Sequence, residues 1–146
     1  MSRLSSRVLT GPVACFLLLA AAALPSMASA ATVEVRVSGV SAGKGRVNVA
    51  LCDKERFLKQ CTYSGSVRAE TAEAVVTVRD VPPGTWAVLA YQDENDNGKL
   101  DRNVIGIPSE NYGFSRGARG KFGPPSFEDA AIEVRDGTAN ATVKLQ

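Results

Sequence analysis

The sequence predicts an all-β domain, built as an antiparallel β-sandwich of about seven strands with one long loop. Two observations support this fold class. Apolar and polar residues alternate with a period of two along most of the chain after residue 30. Turn signals rich in Gly, Pro and Asp separate the alternating runs, and several short strands in this order are typical of two packed sheets.

Residues 1–30 have the pattern of a signal peptide. Arg3 and Arg7 supply a positive start, residues 13–24 are apolar, and Ala28 and Ala30 form an A-x-A cleavage site. The apolar run is too short for a stable membrane span. We therefore expect cleavage near Ala30, a single β-sandwich domain over residues 31–146, a periplasmic or secreted location, and no membrane span after cleavage.

Composition excludes several functions. The chain has 17 basic and 15 acidic residues, and losing Arg3 and Arg7 would leave 15 of each, so nothing indicates nucleic acid or an anionic membrane as a partner. The chain has no His. Histidine-dependent nucleophile systems and His-ligated zinc or copper sites are therefore excluded.

The first two strands are expected at residues 33–37 and 47–51, where Val and Leu alternate with other residues. The turn at residues 41–45 between them predicts a hairpin. Residues 53–59 break the alternation, and we expect one helical turn capped by Asp53 that carries Phe57 and Leu58 inward. Cys52 and Cys61 flank this excursion. Their even number in an exported domain predicts a disulfide, while the absence of a C-x-x-C spacing argues against a redox pair.

Five further strands complete the prediction. One starts at Val67 and one covers residues 74–78. After the turn at residues 81–84, the most apolar strand, residues 85–91, is expected at the centre of a sheet. Residues 131–135 and 139–145, joined by Asp136-Gly137, are expected to pair as a closing hairpin.

A cluster of oxygen-bearing side chains follows the central strand. Its spacing partly matches a calcium loop of the EF-hand type, with a glycine at the sixth position and a valine in place of the final glutamate. The predicted ligands are Asp93, Asn95, Asn97, the carbonyl of Lys99, Asp101 and, returning from further along the chain, Glu110. The low ligand charge predicts weak calcium binding, with a Kd of roughly 10⁻⁴ to 10⁻³ M. The alternative is an ion-free polar turn, because Asp, Asn and Gly favour turns on their own account.

Residues 93–129 form a loop too long to be an ordinary connection. It carries candidate binding residues on a polar, glycine-rich segment: Tyr112, Phe114, Arg116, Phe122 and Phe127. Such a loop on a rigid scaffold is typical of a recognition face for a protein or a glycan of the cell envelope. The alternative is that the aromatic rings fold back and cap one end of the sandwich, leaving the basic residues as a solvated face.

Three motifs in this region resemble the signature of a family of exported bacterial proteins, the domain of unknown function 2141. They are D-E-N-D-N-G-K-L-D at residues 93–101, G-I-P-S-E-N-Y-G-F-S at residues 106–115, and P-S-F-E-D-A at residues 125–130. The resemblance implies a small exported all-β domain and no established activity. The turn and strand P-G-T-W-A-V at residues 83–88 is also similar to those of transthyretin-like and carboxypeptidase-regulatory-like sandwiches, which supports an Ig-like or transthyretin-like architecture alone.

These observations predict an exported non-catalytic module of unknown partner and oligomeric state. Its acidic stretch would be calcium-stabilised or an ion-free turn, and its long loop would serve as a recognition face. The alternative is a small hydrolase of envelope polysaccharide that uses a pair of carboxylates from the same acidic stretch as acid and base.

Overall fold

The computed structural model describes residues 29–146, so the predicted signal peptide lies almost wholly outside the described residues. Residues 29–146 form eight strands and one short helix. In chain order they are β1 (Ala31–Ser38), β2 (Arg46–Cys52), β3 (Tyr63–Arg68), β4 (Glu73–Val81), β5 (Gly84–Asp93), β6 (Tyr112–Phe114), α1 (Phe127–Ala130), β7 (Ala131–Val134) and β8 (Thr138–Lys144).

The strands form two sheets, which confirms the predicted all-β sandwich-like class. One sheet has three strands in the order β4-β1-β8, and the other has five, with the path β3-β2-β5-β6. The remaining strand, β7, also pairs with β5. It takes the first half of that strand's edge, from Gly84 to Ala87, while β6 takes Leu89 to Tyr91. The pairing is antiparallel except between β1 and β8, which run parallel.

The core lies between the sheets and follows the predicted alternation. Val33, Val35 and Val37 of β1 are buried, while the residues between them are more accessible. Val47, Val49 and Leu51 of β2 are buried in the same way. Branched aliphatic side chains at every second position suit a pleated surface with one face covered, which explains why valine dominates this core.

Both predicted hairpins are wrong. β1 pairs with β4 and β8, whereas β2 pairs with β3 and β5, so the turn at residues 41–45 crosses from one sheet to the other. The turn at Asp136-Gly137 also crosses, because β7 pairs with β5 and β8 with β1. Alternation shows which side of a strand faces the core, but two strands on opposite sides of that core have the same pattern.

The excursion between β2 and β3 matches the prediction in part. Cys52 and Cys61 are placed as a disulfide with their Cα atoms 4.6 Å apart. Asp53 caps a turn, its Oδ1 accepting a hydrogen bond of 2.8 Å from the backbone N–H of Arg56, but no helix forms. Phe57 turns inward as expected. Leu58 does not, because its φ of 61° reverses the chain and leaves the side chain 43% exposed.

Across residues 29–146, no helix is both long enough and apolar enough to cross a membrane.

Candidate functional site

The predicted ligand residues all lie in one loop, residues 93–110, which we call the acidic loop. It begins at Asp93, the last residue of β5, whose side chain is almost fully buried. Asp93 Oδ1 accepts a hydrogen bond of 3.0 Å from the N–H of Asn97, and Oδ2 accepts one of 2.6 Å from the N–H of Gly98. Gly98 has a φ of 78°, in the left-handed region that favours glycine. The first carboxylate of the loop therefore binds backbone amides at the loop's turn.

Glu110 closes the acidic loop at its other end. Its Oε1 accepts a hydrogen bond of 2.9 Å from the N–H of Glu94, and its Oε2 accepts one of 3.0 Å from the N–H of Asp101. The chain does turn back toward the loop after Asp101, as the sequence predicts. Both oxygens of Glu110 reach backbone donors at two separate points, so this one side chain ties the start, the middle and the end of the loop together.

The amide side chains of Asn95 and Asn97 surround the carboxylate of Asp101. Asn95 Nδ2 donates to Asp101 Oδ2 at 2.7 Å, and Asn97 Nδ2 donates to both oxygens of Asp101 at 2.9 and 3.0 Å. The hydrogen bonds from Asn97, and next those from Asn95, hold the pKa of Asp101 below its ordinary value of 3.8. Asp101 is therefore an ionised acceptor at neutral pH.

The metal ligands predicted from the sequence are thus neighbours, with Lys99 joined to them by its N–H, which donates to Asn97 Oδ1 at 2.9 Å. Among residues 29–146 no group of three or more Asp, Glu or Cys side chains lies together as a metal ion would require. The reason is geometric, since the oxygens of Asp93 and Glu110 face backbone N–H groups rather than a common centre. The side chains that remain for a cation are Asn95, Asn97 and Asp101.

The strand below the acidic loop is held by a buried amide that the sequence analysis missed. Gln92 is fully buried, and its Oε1 accepts from the N–H of Ser41 at 2.8 Å. Its Nε2 donates to the carbonyls of Ser41 at 2.8 Å and Lys44 at 2.7 Å. The turn at residues 41–45 is therefore fixed beside the acidic loop. Burial, and then the negative charge of Asp93, raise the pKa of the neighbouring Tyr91 hydroxyl.

A short hairpin with an apolar end projects from the acidic loop. It spans residues 102–108, closed by the bridge between Arg102 and Pro108, and we call it the tip hairpin. Val104 is fully exposed, Ile105 is 74% exposed and Ile107 is 56% exposed. Exposed aliphatic residues are ordinary when scattered singly, whereas three at one turn form a contiguous exposed apolar patch. The sequence analysis missed them, although N-V-I-G-I interrupts an otherwise polar stretch.

The predicted aromatic residues of the loop separate into two groups. Phe114 is buried, and with Phe57 and Phe127 it forms a second apolar cluster on the outer side of β5. The ring centroids of Phe57 lie 5.9 Å from Phe114 and 5.8 Å from Phe127. Tyr112 is half-buried at the margin of this cluster, whereas Phe122 is fully exposed. The excursion closed by the disulfide supplies Phe57, so it anchors the long loop to the sheet.

Ser115 and Arg116 fasten the following segment. Ser115 is fully buried, its Oγ accepts from the N–H of Val88 at 3.1 Å, and it donates to the carbonyl of Ala130. The exposed Arg116 donates through Nη1 to the carbonyls of Glu128 at 3.1 Å and Ala131 at 3.3 Å. The sequence did not indicate Ser115, because a single serine in a polar loop carries no distinguishing pattern.

A cavity of about 220 Å³ lies between β6, the end of the chain and residues 118–125. We call it the Tyr112 cavity. Its larger lining side chains are Tyr112, Phe114, Ala118, Arg119, Pro125 and Gln146. Another cavity, of about 430 Å³, lies beside the disulfide against Arg56, Lys59, Gln60 and Cys61, and Cys61 is the one predicted site residue in its lining.

The family model described as "Uncharacterized protein conserved in bacteria (DUF2141)" matches residues 35–142, which include the acidic loop, the tip hairpin and the Tyr112 cavity up to Pro125. No curated protein and no solved structure matches the chain. Since the matched residues are well over half of the sequence, the protein belongs to the DUF2141 family of bacterial proteins.

Proposed function

We propose that the protein is an exported, non-catalytic β-sandwich module whose long loop is a recognition face for a protein or a glycan of the cell envelope. The face consists of the tip hairpin and the exposed residues Arg116, Arg119 and Phe122. The observation that most supports this proposal is the tip hairpin, where three aliphatic side chains stand in solvent on a tightly bonded loop. The partly buried aromatic residues support this face from below.

Preorganisation is the physical reason to favour recognition. A flexible loop pays conformational entropy when a partner orders it, and a loop that is already held pays less. Asp93 and Glu110 each bond two backbone N–H groups of the acidic loop. The hairpin that this loop carries is therefore presented in one geometry before any partner arrives.

The experiment compares binding to isolated bacterial envelope fractions by co-sedimentation. Protein recovered after export, with its N-terminus mapped by mass spectrometry, is compared with a triple variant in which Val104, Ile105 and Ile107 become Ser. The matched control is Val75→Ser, which removes a 47% exposed valine from β4. The proposal predicts loss of binding in the triple variant alone. Equal binding by wild type and the triple variant would refute it, as would an N-terminus that shows no cleavage near Ala30.

The alternative of a carboxylate hydrolase has less support. A general acid needs a raised pKa, whereas the Asn side chains lower the pKa of Asp101. The oxygens of Asp93 and Glu110 are engaged by backbone amides. The alternative predicts that Asp101→Asn abolishes polysaccharide cleavage while the fold stays intact, and the module predicts no cleavage by wild type or variant.

Calcium binding remains a prediction for the same loop. Ligation would require Asn95 and Asn97 to turn their oxygens toward an ion beside Asp101, in place of the amide nitrogens that now donate to that carboxylate. A ligand present at about ten times its Kd stabilises the folded state by roughly 1.4 kcal/mol. Melting in millimolar calcium and in chelator measures this directly.

A further inference from the structure

We propose that the recognition face binds a second copy of this chain, with the tip hairpin of one copy seated in the Tyr112 cavity of the other. This inference rests on the proposed function, since it names the partner of that face. The two surfaces that would meet differ in chemistry and occur on the same molecule. One is a projecting apolar turn, and the other is an aromatic cavity with a basic rim.

The tip hairpin is unusually easy to remove from water. Asn103 Oδ1 accepts hydrogen bonds from the N–H groups of Ile105 at 3.1 Å and Ile107 at 3.0 Å. The N–H of Asn103 donates to the carbonyl of Ile107 at 2.8 Å, and that of Gly106 to the carbonyl of Asn103 at 2.9 Å. Burying a backbone polar group is costly only when it lacks a partner. This turn has most of its partners already, so its aliphatic side chains can enter an apolar site with little backbone penalty.

The Tyr112 cavity fits such a turn in size and lining. Its volume is about 220 Å³, and a cavity of about 150 Å³ already holds a benzene ring. Tyr112, Phe114 and Pro125 contribute apolar atoms to its wall, beside the polar groups of Arg119 and Gln146. One branched side chain of the tip hairpin therefore fits inside the cavity. Ile105 is the more exposed of the two isoleucines, and we place its side chain inside, with Val104 and Ile107 at the cavity's margin.

Hydrogen-bonding groups are complementary as well. In the part of the chain that the structure describes, the carbonyls of Val104 and Ile105 accept no hydrogen bond. Arg119 lines the cavity and, over the same residues, makes neither a side-chain hydrogen bond nor an ion pair. A guanidinium group offers five N–H donors. Docking would bring these donors to the two carbonyls that the tip hairpin leaves without partners.

Charge favours the same pairing. Residues 93–111 hold five acidic and two basic side chains, a net charge of −3. Residues 112–126 hold Arg116, Arg119 and Lys121 and no acidic residue, a net charge of +3. Opposite fields steer the two surfaces together. The acidic loop also disfavours an anionic membrane as the partner of the tip hairpin.

The association should be weak and should rise with protein concentration. Three aliphatic side chains and one cavity make a contact smaller than the roughly 1,600 Å² of a standard stable interface. Sedimentation velocity and NMR line widths of the wild-type protein, at protein concentrations up to about 1 mM and at low and high salt, would measure this association. We expect the mean mass to increase with concentration and the increase to shrink at high salt.

Two variants, each altering one surface, provide the decisive test. Ile105→Asp alters the tip hairpin, Arg119→Glu alters the cavity rim, and Val75→Asp is a control that adds the same charge on β4. Each of the first two should stay monomeric at concentrations where the wild type and the control associate. An equimolar mixture of the two should associate again, because each variant retains the surface that the other lacks. Unchanged melting curves would show that all three variants fold.

A wild type that stays monomeric at about 1 mM would overturn the inference. So would a mixture that remains monomeric. The proposed function can be separated from it, since a monomeric wild type whose triple Ser variant no longer binds envelope fractions would keep the recognition face and lose only this partner.

Discussion

Replacing Asp93 by Asn should destabilise the domain by about 2–4 kcal/mol. The aspartate is buried, and its two oxygens accept from the N–H groups of Asn97 and Gly98. An asparagine offers one oxygen and turns an NH₂ toward the second N–H. One charge-assisted hydrogen bond, worth about 1.5–3 kcal/mol, is lost, and a partly buried N–H donor is left facing an NH₂ group at a cost of about 1–3 kcal/mol. Both effects describe the loss of the same hydrogen bond and are therefore not fully additive, so the expected loss of about 2–4 kcal/mol is smaller than their sum.

The assay is thermal unfolding followed by circular dichroism, supported by urea titration. A loss of this size in a domain of this length should lower Tm by roughly 10 °C. The matched control is Asp96→Asn in the same loop. Asp96 has a φ of 58°, which asparagine tolerates, and its only ion pair within residues 29–146 is a 4.0 Å contact with Arg46. We expect the control to change stability by about 0.5 kcal/mol or less. Equal Tm values for the two variants would refute the assignment of Asp93 as the anchor of the acidic loop.

Three further predictions concern the disulfide, the pH response and calcium. Replacing Cys52 and Cys61 together by Ser should cost about 2–3 kcal/mol in urea unfolding, because the closed excursion gains freedom in the unfolded chain, and an unchanged midpoint would show that the bond is not formed. The lowered pKa of Asp101 means that its ionised form stabilises the loop at any pH above its ordinary value of 3.8, and that this contribution is lost as pH falls through the lowered pKa. The Tm difference between wild type and Asp101→Asn should therefore shrink on acidification below about pH 4, and a constant difference would contradict it. If calcium binds, Glu110→Gln should reduce the calcium-induced rise in Tm less than Asp93→Asn does. A wild-type Tm that is the same in chelator and in millimolar calcium would show that calcium does not stabilise this domain.

The fold class could be predicted from the sequence, but the pairing of the strands could not. Alternation correctly identifies Val33, Val35 and Val37 as a buried row, because a half-buried strand must place every second side chain on the core. Strand partners are set by contacts between distant residues, which alternation does not encode. The turns before β2 and before β8 therefore looked like hairpins and proved to be crossings between sheets.

The candidate site was predictable in position but not in detail. Asp93, Asp101 and Glu110 belong to one hydrogen-bonded loop, as their spacing indicates, yet the same Asp, Asn and Gly pattern serves an ion site and an ion-free turn. The choice depends on whether the oxygens face each other or face backbone N–H groups, and that is decided by folding of the whole loop. The aromatic residues show a similar limit, since Phe114 is buried and Phe122 is exposed within one glycine-rich segment.

The acidic loop holds the tip hairpin in one geometry through its own hydrogen bonds, and amide hydrogen exchange in the presence of chelator measures whether it does. We expect slow exchange at the N–H groups of Gly98, Asp101, Ile105 and Ile107, each of which donates to a side-chain oxygen of the loop. The fully exposed Val104, whose N–H has no such acceptor, should exchange fast. Uniformly fast exchange at all five positions, slowed only after calcium is added, would show that the ion and not the loop's own hydrogen bonds holds the hairpin.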